Sequence, residues 1–216
     1  MLYVNAAFSI LNCVEDTHAD LISTLREITG EKMRRVDRYT LLALAGALQC
    51  GDRDKIPTDS MLVLATQTGT LSTSVDMMNK IAVDKMPPKP FQFVNSLGNS
   101  ACYSLARRLN IQGPSLAISQ EHFSFESGLD HAQLALTHTP TNALVGGLDE
   151  APLPIQDHFR RHLDSNEGFK ACYEGSHWLS VSRARENESF AGISLLGECS
   201  TLENFSTFIE LSLIHI

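Results

Sequence analysis

Apolar positions along the chain keep two rhythms, one of short runs and one of three-and-four spacing. Residues 2–11, LYVNAAFSIL, have the composition of an opening strand. A helix is predicted next, because Leu21, Ile22, Leu25 and Ile28 share one face and Gly30 stands where a C-terminal cap belongs. RRVDRYTLLALAGALQCG, residues 34–51, reads as a second helix, basic at its start and then so apolar that little of it can face water. MLVLATQTG, residues 61–69, is a continuous apolar run, as expected of a covered central strand. Thr73 and Asp76 offer a capping box for a helix through about residue 85. The proline-rich MPPKPFQFVN at 86–95 is read as a loop.

From Leu97 to about Asn110 a further helix is expected, with Leu97, Ala101, Leu105 and Leu109 on one stripe and Ser96, Ser100 and Ser104 on another. Small side chains let a second helix approach closely, so this face suits either the core or a partner. SLAIS at 115–119 reads as a strand, a helix follows at about 122–137, and NALVGGLDE at 142–150 is a strand ending in a glycine turn. EGSHWLSVSRA at 174–184 and FAGISLLGECS at 190–200 are two more strand candidates. Strands alternating with helices imply a mostly parallel sheet covered on both faces.

Composition narrows the partners. Seventeen Lys plus Arg against 25 Asp plus Glu give a formal charge of −8, so no net positive field exists to hold a nucleic acid backbone. No apolar run approaches the roughly 20 residues that span a bilayer, so membrane insertion is not expected. The opening residues lack a basic stretch before their apolar part, which argues against a secretory signal. Five scattered cysteines, at 13, 50, 102, 172 and 199, form no CxxC pair and read as reduced, packed thiols of a cytoplasmic protein. No cofactor is implied.

Several motifs stand in an order that carries more information than any one of them. VNSLGNSACYSLARRLNIQGPSLAIS at 94–119 and ALVGGLDE at 143–150 resemble the N-terminal half of a β-ketoacyl synthase, a member of the thiolase fold. RRVDRYTLLALAGAL at 34–48 is similar to that family's "R-R-M-D-R-x-x-x-L-A-L-A-A", and VLATQTGTLSTS at 63–74 to its "V-x-x-G-T-x-x-G-G", without the second glycine pair. The resemblance covers roughly residues 30–185. It implies an α/β fold, the N-terminal half of a thiolase-like structure, with a mixed, mostly parallel five-stranded sheet covered by helices. Residues 1–216 are then expected to be a single domain without the family's C-terminal half.

The family's nucleophilic cysteine stands nine residues after the Gly of its "G-P-S", at a helix N-terminus that helps ionise the thiol. Counted from Gly113 that place is held by His122, and counting back from Gly146 and Gly147 lands on Glu121 or His122. None of the five cysteines lies between residues 103 and 171. The family's two catalytic histidines belong to its second half, and His215 lies outside any such motif, so it is assigned no role. The resemblance therefore points to the family's non-catalytic members, the chain length factors, and to one-half versions found beside the ketosynthases of bacterial polyene and fatty-acid-like pathways, aryl polyenes among them. It implies a heterodimer with a full-length β-ketoacyl synthase that shapes the acyl tunnel, and an acyl carrier protein reached through that complex. Family dimers pair edge to edge along the strand that corresponds here to Leu116, Ala117, Ile118 and Ser119. Phe91, Phe93, Val94 and Leu97 are the residues expected to reach the partner's tunnel, beside Ser100, Ala101 and Ser104 on the interface helix.

Plainer readings compete with some of these. His122 and Ser124, flanked by Glu121 and Glu126, superficially form a hydrolytic set, but side chains two apart point to different helix faces. The second functional reading is an independent acyl-thioester enzyme using Ser124 or Cys102 with His122. Against it, His122 and Glu121 fill the space of the lost nucleophile, Phe123 and Phe125 plug the pocket, and Cys102 packs as a small hydrophobe. Gly146 and Gly147 are explained by turn geometry before a phosphate loop. Arg34, Arg35, Arg38, Arg107 and Arg108 either meet an acidic carrier protein or are solvated surface charge.

Overall fold

A computed structural model describes residues 1–14, 20–50, 56–120, 122–138, 140–151, 172–187 and 189–193. In chain order the elements are β1 (Leu2–Val14), α1 (Leu21–Thr29), α2 (Arg38–Ala47), β2 (Met61–Thr66), α3 (Leu71–Ala82), α4 (Pro90–Asn95), α5 (Ser100–Leu109), β3 (Ser115–Ser119), α6 (Ser124–Ala135), β4 (Asn142–Asp149), β5 (Cys172–Ser182) and β6 (Ala191–Ile193). The strands form one sheet in the order β3-β2-β4-β5-β1-β6. All six residues of β2 are buried, because β3 and β4 run parallel to it on either side and helices cover both of its faces.

The two faces carry two cores. On one, α1, α2 and α5 pack Leu25, Leu42, Leu44 and Leu105 against Leu62, Leu64 and Trp178. On the other, α6 lies over β2, β3 and β4 and buries Ala132 and Leu136 against Val63 and Val145. β1 serves both. Asn5 has no partner in the β1–β5 register, so the strand's facing switches there: Leu2 and Val4 join the α6 core, whereas Ala6, Phe8 and Ile10 pack on the α2 core. Asn5 is held in the bulge by hydrogen bonds, donating to Ser182 Oγ at 3.0 Å and accepting from Ser189 Oγ at 2.7 Å.

Trp178 fixes the spacing between β5, β4 and α2. A Cβ added to Gly146 would lie 2.5 Å from its ring, and one added to Gly46 would lie 2.5 Å from its Cδ1. Gly147 is covered in the same way by Phe125, whose Cδ2 would be 2.8 Å from an added Cβ. This corrects the turn reading of the glycine pair. Both residues lie within β4, positive φ among the described glycines occurs at Gly30 and Gly69, and what the pair supplies is room for two aromatic rings.

Other expectations also shift. The sheet has six strands among the described residues where five were expected, and three of its five neighbouring pairs, β4–β5, β5–β1 and β1–β6, are antiparallel. Strict strand–helix alternation misled here: no helix lies among the described residues between β5 and β6, two strands that flank β1 and are each antiparallel to it. The 86–95 segment contains α4, because Pro90 sits at its first position, where the missing N–H costs nothing. α3 starts at Leu71 with Thr70 as its cap, ahead of Thr73 and Asp76. The turn out of β2 is set earlier, by Gly69 at φ 59° donating to Thr66 Oγ1. A left-handed Arg35 delays α2 to Arg38, and α5 begins at Ser100, which leaves Leu97 outside it. Gly30 is the αL cap of α1, donating to Arg26 O, although Ile22 and Ile28 are largely exposed beside buried Leu21 and Leu25. Residues 194–200 of the last strand candidate lie outside the described residues, as do Cys199 and His215.

Candidate functional site

The strand, turn and helix around His122 are built as an elbow. β3 pairs with β2 from Ser115 opposite Leu62 to Ser119 opposite Thr66, and Gln120 N–H extends the ladder to Thr66 O at 3.2 Å. The chain then turns through Phe123, which takes the left-handed conformation (φ 58°, ψ 25°) immediately before α6. A bulky residue there is strained by about 1–3 kcal/mol. Gln120 pins it, its Nε2 donating to Phe123 O at 3.0 Å and to Ser127 Oγ at 2.5 Å.

His122 is exposed at the outer side of this turn and meets Phe123 edge to face, ring centroids 6.3 Å apart. Ser124 opens α6, and no hydrogen bond joins it to His122. Glu121 lies outside the described residues. Cys102 is buried on α5, its thiol directed to Leu116 O at 3.9 Å, and burial pushes its pKa up to about 11. Cys50 is buried and raised to about 11 for the same reason. Cys102 and His122 therefore sit in opposite surroundings, one inside the core and one in water.

The expected interface residues divide into three groups. Phe91, Phe93, Val94 and Leu97, on and just after α4, are exposed, Phe93 by 57%. Ala117 and Ser119 face outward from β3, whereas Leu116 and Ile118 are half-buried against the α6 core. Ala101 is wholly buried, Ser100 and Ser104 are half-buried, and these three belong to the seat of α5. The apolar surface extends further than the sequence reading allowed. α3 buries none of its residues, and Met78, Ile81, Val83 and Met86 continue the exposed stretch towards α4.

Among the described residues, β3 also has a defined open side. Leu62 N–H donates to Pro114 O and Gln120 N–H to Thr66 O, so in the parallel ladder the even-numbered residues of β3 bond to β2. The N–H and C=O groups of Ser115, Ala117 and Ser119 consequently point away from the sheet, at its edge.

Four features were missed by pattern reasoning. A cavity of about 310 Å³ lies on the β1–β5 surface, lined by Phe8, Phe125, Trp178 and Leu179, with Ser9 Oγ 2.7 Å from His177 Nδ1 at its polar side. Asp149 clamps the β2–α3 turn, accepting from Thr66 Oγ1 at 2.7 Å, Thr68 Oγ1 at 3.0 Å and the N–H groups of Gln67 and Thr68. Glu150, next in sequence, is buried and accepts from Ser72 N–H at 3.1 Å; burial, with the Asp37 charge adding to it, raises its pKa to about 7. Period-two burial along β5 would have exposed another pairing. Glu174, Ser176 and Trp178 share its inner face, and Glu174 there receives Arg38 through Nε at 3.0 Å and again through Nη2. Among the described residues, no group of three or more His, Cys, Asp or Glu is placed to hold a metal ion, and no helix is long and apolar enough to cross a membrane.

This architecture is the α/β fold of the thiolase-like proteins. A scan against models of known protein families gives no match, and a search of curated proteins finds no similar sequence. Solved structures share the fold. The ishigamide ketosynthase/chain length factor superposes with a TM-score of 0.73 at 18% identity, over 87% of this chain and 63% of that one. A ketosynthase (ApeO) in complex with its chain length factor (ApeC) from Xenorhabdus doucetiae gives 0.59 at 13% identity, over 84% and 79%. A type II polyketide synthase acyl carrier protein in complex with its ketosynthase, AntDE:AntF, gives 0.58 at 11%, over 84% and 62%. The chain thus has the fold of ketosynthases and chain length factors, and spans 63% of the length of the ishigamide protein.

Proposed function

We propose that this chain is a non-catalytic, chain-length-factor-like subunit that pairs with a full-length β-ketoacyl synthase and limits or stabilises the growing acyl chain in its tunnel. What supports this reading is the elbow between β3 and α6, where Phe123 is left-handed and His122 exposed, His122 being the residue that the count from Gly113 sets at the position the resemblance gives to the nucleophile. The partner would perform elongation on substrates delivered by an acyl carrier protein, in fatty-acid or polyketide biosynthesis of the aryl polyene kind, in the cytoplasm. Residues 1–216 would act as one domain, the counterpart of a synthase N-terminal half.

Two surfaces support pairing. Among the described residues no strand pairs with the outer side of β3, and a partner strand would satisfy the backbone groups there. Phe91, Phe93, Val94 and Leu97 add exposed apolar area near the start of α5. For the competing reading of an acyl-thioester enzyme, Cys102 is a poor nucleophile at a pKa of about 11 and Ser124 lacks a bond to His122. Co-expression with ketosynthases from the same source, followed by size-exclusion chromatography and mass determination, tests the proposal. A stable one-to-one complex is expected. A monomer that hydrolyses a simple acyl thioester, and loses that activity in His122→Ala, would overturn it.

A further inference from the structure

The cavity on the β1–β5 surface plays no part in the pairing proposed above, and its shape follows from the strand register. Gly147, His177 and Ser9 stand in one row across β4, β5 and β1. The rows on either side are Val145, Leu179 and Ala7, and Asp149, Gly175 and Leu11. Val145 and Leu179 pack in the α6 core, and residues two apart along a strand share a face, so all three rows lie on the α6 side of the sheet. Gly147, Gly175, Ala7 and Ser9 are small, and the space their side chains leave is walled by two rings. Phe125, from the first turn of α6, lies over Gly147, where an added Cβ would be 2.8 Å from its Cδ2. His177 lies over Gly175, an added Cβ there being 2.6 Å from its Nε2. The resulting depression of about 310 Å³ is apolar except where Ser9 Oγ and His177 Nδ1 meet at 2.7 Å.

Two properties narrow what such a depression can hold. Its volume is at the lower end of small-molecule sites, about 300–1,000 Å³, which suits a body the size of a single ring. Its polar pair sets the other end of the ligand. A neutral imidazole and a hydroxyl carry one N–H and one O–H between them, and their mutual bond uses one. In either tautomer one donor is left over, and among the described residues nothing accepts from it. No carboxylate among those residues bonds to the ring, so the pair lacks the third member of a hydrolytic triad and is suited to hold a ligand, not to attack one. The leftover donor calls for an acceptor. The Asp149 carboxylate one row away and the formal charge of −8 both disfavour an anion, which leaves a neutral carbonyl oxygen.

We propose that this depression binds a small uncharged carbonyl compound, its single-ring body between Phe125 and Leu179 and its oxygen accepting from the Ser9–His177 pair. A flat ring suits a floor from which the Cβ atoms of Gly147 and Gly175 are missing, and Phe125 supplies an aromatic neighbour. β3 is at the far edge of the sheet, so this inference is independent of the pairing and stands or falls without it.

Titration of the isotope-labelled full chain with benzamide, followed by amide NMR, tests the proposal, with benzoate and benzylamine as ring-matched comparators. The expected result is saturable shifts centred on Ala7, Ser9, His177 and Leu179, with a Kd on the order of 1 mM for so small a ligand. Benzoate and benzylamine should bind several-fold more weakly, the first for its charge and the second for want of an acceptor. His177→Ala should weaken benzamide by about 2- to 10-fold, the loss of one hydrogen bond. Ala7→Phe, at an exposed strand position, fills the depression and should abolish saturation; Ser9→Leu serves the same purpose if that variant folds poorly. Shifts that do not saturate or that centre elsewhere, comparators that bind as tightly as benzamide, or binding kept in a folded filled variant would each overturn the proposal.

Discussion

At the scale of single residues, the structure separates positions that build the elbow from positions that merely occupy it. Gln120 holds Phe123 and Ser127, while His122 projects into solvent. In the subunit reading, His122→Ala should leave elongation by the assembled pair nearly intact; turnover collapsing in a complex of unchanged mass would count decisively against it. Gly146 is the opposite case. Its replacement by Ala would put a methyl 2.5 Å from Trp178, and overpacking of this kind costs about 1–3 kcal/mol, more where the neighbour is a rigid ring. Urea unfolding should show a clearly lower midpoint for Gly146→Ala, and a midpoint matching the parent would mean that Trp178 moves aside freely. The glycine pair was visible in the sequence, but its cause was not. Trp178 is more than 30 positions away, and only the β4–β5 register, Gly146 opposite Trp178, brings the two together.

Elements show which local signals decide and which are overridden. β2 and α2 were legible because burial on every side leaves an unbroken apolar run, and Gly30 announced the end of α1 through its backbone freedom. Segment 86–95 was misjudged since proline was weighed as a breaker without regard to position, and a first-turn proline starts a helix as readily as it stops one. β3 was found as a strand, yet which of its backbone groups are free became clear only from its bonds to β2. That polarity shapes a test. Ala117 N–H points to the open side, so Ala117→Pro should spare the β2 ladder and the fold while abolishing association with the ketosynthase. Co-elution of a well-folded mutant with the partner would show that this edge is not the contact.

For the whole molecule, the order of motifs carried the fold, and sequence likeness alone would not have: matches in structure lie between 11% and 18% identity for the relatives described above. Strand direction was the part that failed, because β1 and β5, joined in a long antiparallel ladder, are far apart in the chain. Helix α2 is tied to that ladder by Arg38 and the fully buried Glu174. Removing one partner of a buried pair strands the other charge, at a cost of about 3–5 kcal/mol. Glu174→Ala should therefore lower stability by that order in equilibrium unfolding, whereas an effect below about 1 kcal/mol would class the bridge with exposed pairs.

Asn5 has a consequence for how this molecule can vary. Because Asn5 is the one extra residue of β1, Val4 and Ala6 stand opposite the neighbouring residues Val181 and Ser180 and on opposite faces of the sheet, as consecutive residues of a regular strand would. Deletion of Asn5 would leave those pairings in an unbroken ladder, with Leu2 and Val4 still on the α6 core, and would cost only the bonds to Ser182 and Ser189, which exchange for an apolar residue would cost as well. At this position the chain can lose a residue and still keep both faces of β1 on their own cores.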